Sequence, residues 1–565
     1  MYRAEHPNPQ FFREQWENLN GQWEFDFDFG MTGKERGLFD GRPLDKTIQV
    51  PFCPESRLSG IGHTDFMNCV WYRRSFTVPA GWQDNGRVLL HFGAVDYEAT
   101  VYINGKEAGS HTGGYTSFQL DVTSYLNDGE NVLTLCALDD SRKTCQPSGK
   151  QSHSFASQGC FYTRTTGIWQ TVWLEHVPES HIKTFRFYPD VKNGRMLFEV
   201  YTTGGGQLDV AVSYQGKPMG GAALSVEGDV VRGEVVLAEK HLWELGQGRL
   251  YDVALTFGED RVQSYFGLRE VKLDGFQFLL NGRSVFQRMV LDQGFYPDGI
   301  YTAPREEDLV QDIRLSMEAG FNGARLHERV FEPRFLYHCD KMGYMVWGEY
   351  ANWGLDHSLP ENLAAYISQW KEAMERDFNH PAIIGWCPFN ETWDGFGRQQ
   401  WNPLLATVYH ITKALDPTRP CIDTSGNYHV VTDIFDVHDY DQNPETFAPR
   451  FARIREGILE NHCNNRQTYR GEPVFVSEYG GISRASDKDK GWGYGDSPED
   501  DAAFIQRYTQ LTEALLDNPY IMGFCYTQLY DVEQEVNGLY TYGREPKFDM
   551  EVIRKVNQKK AAIEK

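Results

Sequence analysis

From Trp16 to about residue 178, apolar and polar positions alternate in steps of two over short runs broken by turn residues. Trp71-Tyr72-Arg73-Arg74-Ser75-Phe76-Thr77-Val78 is closed by Pro79, and Ala99-Thr100-Val101-Tyr102-Ile103 by the hairpin pair Asn104-Gly105. Many such strands with little helical periodicity predict a jelly-roll β-sandwich over residues 1–178, its last strand running from Trp169 to Glu175. The alternation continues over residues 179–272, in Met196 to Tyr201, Leu208 to Ser213 and Tyr251 to Thr256, with a Gly204-Gly205-Gly206 turn. That length and texture predict a second, immunoglobulin-like sandwich, of generic type because no Cys…Trp…Cys pattern is present.

After residue 272 the pattern changes. Short apolar runs now alternate with amphipathic helical stretches, the mark of a parallel α/β unit occupying 273–565. Eight strands are predicted: Phe286 to Val290, Gly323 to Leu326, Met345 to Trp347, Ile383 to Cys387, Cys421 to Asp423, Ile434 to His438, Val474 to Ser477 and Ile521 to Cys525. Eight is the number a closed (β/α)8 (TIM) barrel requires. Between them, Leu309, Ile313 and Met317 share one helical face that ends at Gly320, and Phe504, Tyr508, Leu511 and Leu515 share another.

Charge narrows the partners. A formal net charge of −24 over 565 residues repels phosphate backbones and anionic lipid, so neither nucleic acid nor a membrane surface is expected. The opening Met1-Tyr2-Arg3-Ala4-Glu5-His6-Pro7 lacks the apolar core of a secretory signal, and no apolar run reaches about 18 residues. A cytoplasmic location is therefore expected. None of the 10 cysteines falls in a Cys-x-x-Cys pair, which speaks against zinc and against a disulfide framework. Cys387, four residues from Glu391, reads as a small buried residue of a barrel strand rather than a reactive thiol.

In a parallel barrel, chemistry collects at the C-terminal ends of the strands. Two carboxylates stand out there, Glu391 in Cys387-Pro388-Phe389-Asn390-Glu391-Thr392-Trp393 after the fourth strand and Glu478 in Val476-Ser477-Glu478-Tyr479-Gly480 after the seventh. Each follows an apolar run where an unpaired charge is expensive. Strands four and seven face each other across a barrel mouth, so the two side chains can converge on one acetal. One carboxyl would protonate the leaving oxygen while the other, ionised, acts from the opposite side of the anomeric carbon; hydrolysis of this kind needs no metal and no other cofactor. Further candidates to pair with sugar hydroxyls are Asp292 and Gln293 after strand one, Arg325, His327 and Glu328 after strand two, Glu349 and Asn352 after strand three, Trp393 after strand four, and His438 and Tyr440 at the end of strand six. A structural ion pair is the competing reading for each.

Asn390-Glu391 and Ser477-Glu478-Tyr479-Gly480 resemble the acid/base and nucleophile motifs of glycoside hydrolase family 2, the β-galactosidase, β-glucuronidase and β-mannosidase group. The resemblance extends through Leu19-Asn20-Gly21-Gln22-Trp23, Phe92-Gly93-Ala94-Val95-Asp96, Thr166-Gly167-Ile168-Trp169-Gln170 and the stretch from Leu529 to Leu539. It implies a retaining exo-glycosidase with Glu391 as acid/base and Glu478 as nucleophile. It also implies that Asn390 bonds the substrate's 2-hydroxyl and that Tyr479 and Tyr440 hold the nucleophile.

Departures from the family pattern bear on the sugar. Where the β-glucuronidases carry an Asn-x-Lys clamp for the uronate carboxylate, this chain has Glu535-Val536-Asn537, which removes that cation and leaves Arg325 or Arg329 as substitutes. The Glu-x-His arrangement that holds magnesium in large β-galactosidases is missing from Gly348-Glu349-Tyr350-Ala351-Asn352-Trp353-Gly354. A β-galactosidase-like enzyme is expected, then an α-L-arabinofuranosidase or β-galactofuranosidase, then a uronidase. The reading from another class is a carbohydrate-binding protein whose barrel has lost its chemistry. A homodimer or tetramer acting on a glycoside or oligosaccharide completes the expectation.

Overall fold

The computed structural model describes residues 2–395, 397–484 and 491–564. Its N-terminal sandwich packs a six-stranded antiparallel sheet against a four-stranded one. In the larger, Cys69–Thr77 and Glu130–Leu138 lie at the centre, flanked by Gly21–Phe27 and Glu98–Ile103. In the smaller, Val172–Val177 and Arg87–Phe92 are central. Alternation turns Phe25, Val70, Tyr72, Leu133 and Leu135 inward to meet Leu90, Phe92 and Leu174. The Asn104-Gly105 hairpin is present, with both residues left-handed at φ 52° and 77°, the geometry whose twist matches its strands. One expectation fails here. The last strand starts at Val172, while Trp169 leaves the sandwich, donates its indole N–H to Gly114 O at 2.8 Å and joins the core of the barrel.

The second sandwich sets Ile182–Asp190, Arg195–Thr202 and Val230–Val236 against a four-stranded sheet that includes Gly206–Tyr214 and Tyr251–Phe257. Phe187, Phe198, Val210, Leu255 and Phe266 fill the space between them. The strand Val271–Asp274, across which the expected 272/273 boundary falls, opens a small antiparallel sheet leading into the barrel, where Phe278 and Leu280 are buried.

Seven parallel strands form the barrel sheet: Gln287–Asp292, Gly323–Leu326, Met345–Glu349, Ile383–Cys387, Phe435–Asp439, Val474–Tyr479 and Ile521–Tyr526. All are buried along nearly their whole length, which is why each shows as an apolar run. The predicted fifth strand, Cys421 to Asp423, makes no ladder. It touches the fourth stave only through isolated parallel bridges, Trp386 with Cys421 and Asn390 with Ser425. Helix Asp501–Leu516 buries Phe504, Tyr508, Leu511 and Leu515 as predicted; in Glu306–Glu318, Leu309 and Ile313 are buried but Met317 is only partly so, and Asp312, paired with Arg544, is buried instead. No helix of the described residues is long and apolar enough to cross a membrane.

Between the jelly-roll strands Glu130–Leu138 and Val172–Val177, a long excursion crosses to the mouth of the barrel. There Ser148 and Gly149 donate their backbone N–H groups to Trp353 O at 2.7 and 3.0 Å.

Candidate active site

Arg325, 1% exposed at the end of the second barrel strand, organises the mouth. Its Nε donates to Glu349 Oε1 (2.6 Å), its Nη1 to Ser477 O (2.8 Å) and Glu478 Oε1 (3.1 Å), and its Nη2 to Asn390 Oδ1 (3.1 Å). One guanidinium thus fixes residues from strands three, four and seven in a common frame. The other oxygen of Glu478 accepts from the Tyr440 hydroxyl, whose ring is stacked on Tyr494 with centroids 3.5 Å apart. Glu478 is therefore held as an acceptor on both sides.

Glu391 follows strand four through a left-handed residue position, φ 46°. Asn352 clamps the peptide before it, accepting from Asn390 N (2.6 Å) and donating to Asn390 O (2.9 Å). The Glu391 carboxyl meets His438 Nδ1 at 2.7 Å, and the same nitrogen lies 3.4 Å from Glu478 Oε2. One carboxylate oxygen of Glu391, one of Glu478 and an imidazole nitrogen of His438 all lie within 4.8 Å of one another. These ligand types could hold a metal, but Nδ1 is aimed at a carboxylate oxygen at proton-sharing distance rather than at a shared centre.

The location of the proton follows from His438's second nitrogen. The Ser425 hydroxyl donates to Asp436 Oδ2 at 2.6 Å and lies 3.0 Å from His438 Nε2, so it accepts there and Nε2 carries a hydrogen. The Nδ1–Oε1 contact then holds one proton, shared by imidazole and carboxyl. Burial pushes His438 down, but the charges of Glu478 and Glu391 outweigh it and raise it above the usual 6.5. Burial pushes Glu391 up, but its bond with His438, the charges of His438 and Lys150 and a bond with Trp393 together outweigh this, leaving it below 4.5. The shared proton consequently sits toward the imidazole, one short transfer from Glu391.

A second cluster borders the first. Gln293 Nε2 donates to Gln528 Oε1 (2.6 Å) and to the Tyr162 hydroxyl (2.8 Å); Tyr162 donates to Glu535 Oε2, Asn537 Nδ2 to Glu535 Oε1 (3.0 Å), and Gln528 Nε2 to Asn537 Oδ1 (2.8 Å). This closed ring presents Glu535 as an acceptor. Over it stands Lys150 from the jelly-roll excursion, its Nζ 5.2 Å from the ring centre of Trp353 and 6.0 Å from that of Tyr162. The Trp353 indole N–H reaches Asn390 O at 3.2 Å, which joins the two clusters.

Residues 58–178 match the sugar binding domain of glycosyl hydrolases family 2, and residues 271–561 match its TIM barrel domain. The chain belongs to glycoside hydrolase family 2. It is 26% identical over 511 residues to a β-galactosidase of Thermoanaerobacter pseudethanolicus, covering 83% of this chain and 61% of that protein. It is 26% identical over 547 residues to the β-glucuronidase of Felis catus, covering 85% and 79%. A β-glucuronidase from Ruminococcus gnavus in complex with D-glucuronic acid superposes with a TM-score of 0.81 over 98% of this chain and 100% of that one. At 20% identity this last likeness shows the shared fold.

The expected site residues fall into three groups. Asn390, Glu391, His438, Tyr440 and Glu478 surround one point, with Arg325 behind them; His327 and Glu349 lie deeper, Nδ1 to Oε2 3.5 Å, and Glu535 with Asn537 forms the neighbouring ring. Burial pushes His327 well below 6.5, so it is neutral. Two residues turn elsewhere. Asp292 accepts from Tyr530 (2.6 Å) and Gly294 N (2.9 Å), and it is pushed up to about 6 by burial and by Asp312; its successor Gln293 enters the pocket instead. Tyr479 bonds Thr512 (2.8 Å) on helix Asp501–Leu516, away from Glu478; a register break between Val476 and Tyr479 accompanies this, with Glu478 aimed inward and the next side chain outward. Trp393, 53% exposed, packs edge-on to Tyr428 at the rim. Neither arginine is free for a uronate: Arg325 is spent as described, and Arg329 donates to Gly294 O and Tyr301 O while lying over Trp169, Tyr301 and Phe331. Cys387 is buried, its Sγ 3.1 Å from Phe389 O.

Sequence reasoning missed Lys150, Tyr162, Trp353, Gln528 and Tyr494. The signal for the first two was the length of residues 139–166 without strand alternation, since so long a loop in a compact domain is usually functional.

Proposed function

We propose that this chain is a retaining exo-glycosidase that cleaves a terminal, β-galactose-like sugar by double displacement, with Glu391 as acid/base and Glu478 as nucleophile. The reading rests on the approach of their carboxylates to within 4.8 Å. So close an approach between one oxygen of each group favours direct nucleophilic attack, for which the carboxyls stand roughly 5–5.5 Å apart, over inversion, for which they stand about 6.5–9.5 Å apart.

The proton held between His438 and Glu391 passes to the glycosidic oxygen as the C–O bond breaks, and Glu478 forms an ester to the anomeric carbon. Arg325 and Tyr440 then support the carboxylate when water, deprotonated by Glu391, displaces it. Asn390 Nδ2 is buried and, among the described residues, has no partner, so it is available to a hydroxyl next to the reacting carbon, where a bond strengthens as positive charge develops. A purely carbohydrate-binding role leaves a proton poised beside a second carboxylate without purpose.

The test is a panel of 4-nitrophenyl glycosides (β-D-galactopyranoside, β-D-galactofuranoside, α-L-arabinofuranoside, β-D-glucuronide), followed by NMR of the first-formed sugar. Retained configuration, labelling of Glu478 by the matching 2-deoxy-2-fluoro glycoside and loss of turnover in Glu478→Gln are expected. Inverted product would refute the mechanism, and preference for another glycone would refute only the sugar assignment.

A further inference from the structure

The least explained group near the site is Lys150. It is 6% exposed, and among the described residues its ammonium has neither a hydrogen-bond acceptor nor an ion-pair partner, although Glu535 lies within reach of its field. An ammonium set in the wall of the site with no protein acceptor among the described residues is available to a group that substrate brings in.

The chain spends much structure on keeping that side chain where it is. Tyr115 bonds Ser148 O (2.9 Å), the N–H groups of Ser148 and Gly149 bond Trp353 O, and Tyr162 N bonds the Lys150 carbonyl (2.7 Å). Gln151 Nε2 is anchored on the buried Asp96 at 2.7 Å. Gly149 is left-handed at φ +57°, and a Cβ there would lie 2.4 Å from Glu328 O, so the loop is pressed directly against the barrel. A solvated surface lysine needs none of this.

We propose that Lys150 and Glu535 form a donor–acceptor subsite that takes two neighbouring hydroxyls of a neutral glycone, with the lysine delivered into the catalytic barrel by the jelly-roll domain. The inference rests on the glycosidase reading and deepens it. The ammonium donates to one hydroxyl oxygen. Glu535, whose two oxygens each already accept one bond from Tyr162 and Asn537, accepts the proton of the other through its remaining lone pairs. The two groups form no ion pair, which leaves the gap a diol fills. A uronate placed there would meet Lys150 but also the Glu535 carboxylate, and with Arg325 and Arg329 committed no second cation offsets the repulsion. The buried Oε1 of Gln293, with no partner among the described residues, offers a further acceptor on the same wall.

The experiment compares wild type, Lys150→Met and Glu535→Gln on the 4-nitrophenyl panel and on monodeoxy versions of the best neutral substrate, with thermal unfolding alongside. Wild type should favour a neutral glycoside over the β-D-glucuronide. Lys150→Met should lower kcat/KM on the neutral substrate about 10- to 100-fold, the loss expected for a hydrogen bond from a charged donor. It should leave the enzyme folded, because no hydrogen bond within the protein is removed and only the contacts of the ammonium with the Trp353 and Tyr162 rings are lost. One monodeoxy substrate should be poor for wild type yet no worse than its parent for Lys150→Met, a pattern a merely structural lysine cannot produce. Glu535→Gln should narrow the preference against the glucuronide. A Lys150→Met enzyme that matches wild type across the panel, or one that loses the glucuronide more than the neutral sugar, overturns the proposal while leaving the two-carboxylate mechanism intact. If no glycoside is cleaved and Glu478 is not labelled, the mechanism itself fails and the subsite with it.

Discussion

In the proposed mechanism Glu391 provides the proton for the leaving oxygen, so replacing it should cost only as much as the leaving group depends on protonation. General acid catalysis contributes about 10²- to 10⁴-fold, and the 2.7 Å contact with His438 keeps a proton one transfer away from this carboxyl. In Glu391→Ala, kcat/KM on an alkyl glycoside, whose alkoxide cannot leave unprotonated, should fall by about that whole factor. On a 2,4-dinitrophenyl glycoside the first step should lose little, while turnover stalls at the glycosyl-enzyme because no base activates water. Azide needs no deprotonation, so it should restore turnover and yield a glycosyl azide of the substrate's own anomeric configuration. The backbone supplies a separate magnitude. A non-glycine residue at φ 46° carries roughly 1–2 kcal/mol of steric cost, so Glu391→Gly should unfold at higher urea than Glu391→Ala while sharing its kinetics. Equal losses on both leaving groups, or an azide product of opposite configuration, would show that Glu391 is not the acid.

The remaining predictions concern its neighbours. His438 is raised above 6.5 by Glu478 and Glu391 against the effect of burial, so the shared proton persists to higher pH and activity falls as pH rises past the pair; in His438→Gln the alkaline limb of kcat/KM should move to lower pH, and an unmoved limb would place the proton elsewhere. Ser425→Ala removes the acceptor that keeps a hydrogen on His438 Nε2, so a neutral imidazole can turn its proton to Nδ1 and donate to an ionised Glu391; activity on alkyl glycosides should drop more than on dinitrophenyl ones, with the tautomer read by ¹⁵N NMR. Tyr479→Phe should lose about 0.5–1.5 kcal/mol of stability with its Thr512 bond and leave kcat/KM essentially unchanged, whereas a large change in KM would return Tyr479 to the pocket.

The barrel was legible because its strands are buried on both faces, and so were the two glutamates, because each ends such a run. Which of two adjacent polar residues faces the substrate was less so. Period-two alternation would have arbitrated, but the register shifts between Val437 and His438 and between Val476 and Tyr479 interrupt it beside the chemistry. Asp292 was misplaced for a related reason: at a strand end, a carboxylate that caps Gly294 and Tyr530 looks no different in sequence from one that meets a sugar. The long loop at 139–166 marked the region of Lys150, but not its place beside Trp353 and Glu535 of the barrel. Proximity across hundreds of residues is a property of the packed chain, and no local pattern encodes it.

The incomplete fifth stave also bears on the proton shared by His438 and Glu391. Backbone pairing at 421–425 is limited to two bridges, and its polar side chains are engaged in a network: Asp423 accepts from Val430 N (2.7 Å) and Val431 N (3.0 Å) and meets His429 Nδ1 at 2.7 Å, while Ser425 joins Asp436. Burial pushes Asp436 up, but bonds with His429 and Ser425 bring it down to about 2, so it is an acceptor throughout the neutral range. With Ser425 donating to that acceptor, it accepts from His438 Nε2, and the Nδ1 contact shares its proton with Glu391. A fully paired strand of apolar residues at this position would complete the sheet and break that chain of dependence. The stave that looks weakest as β-structure is the one that meets His438 on the side opposite Glu391.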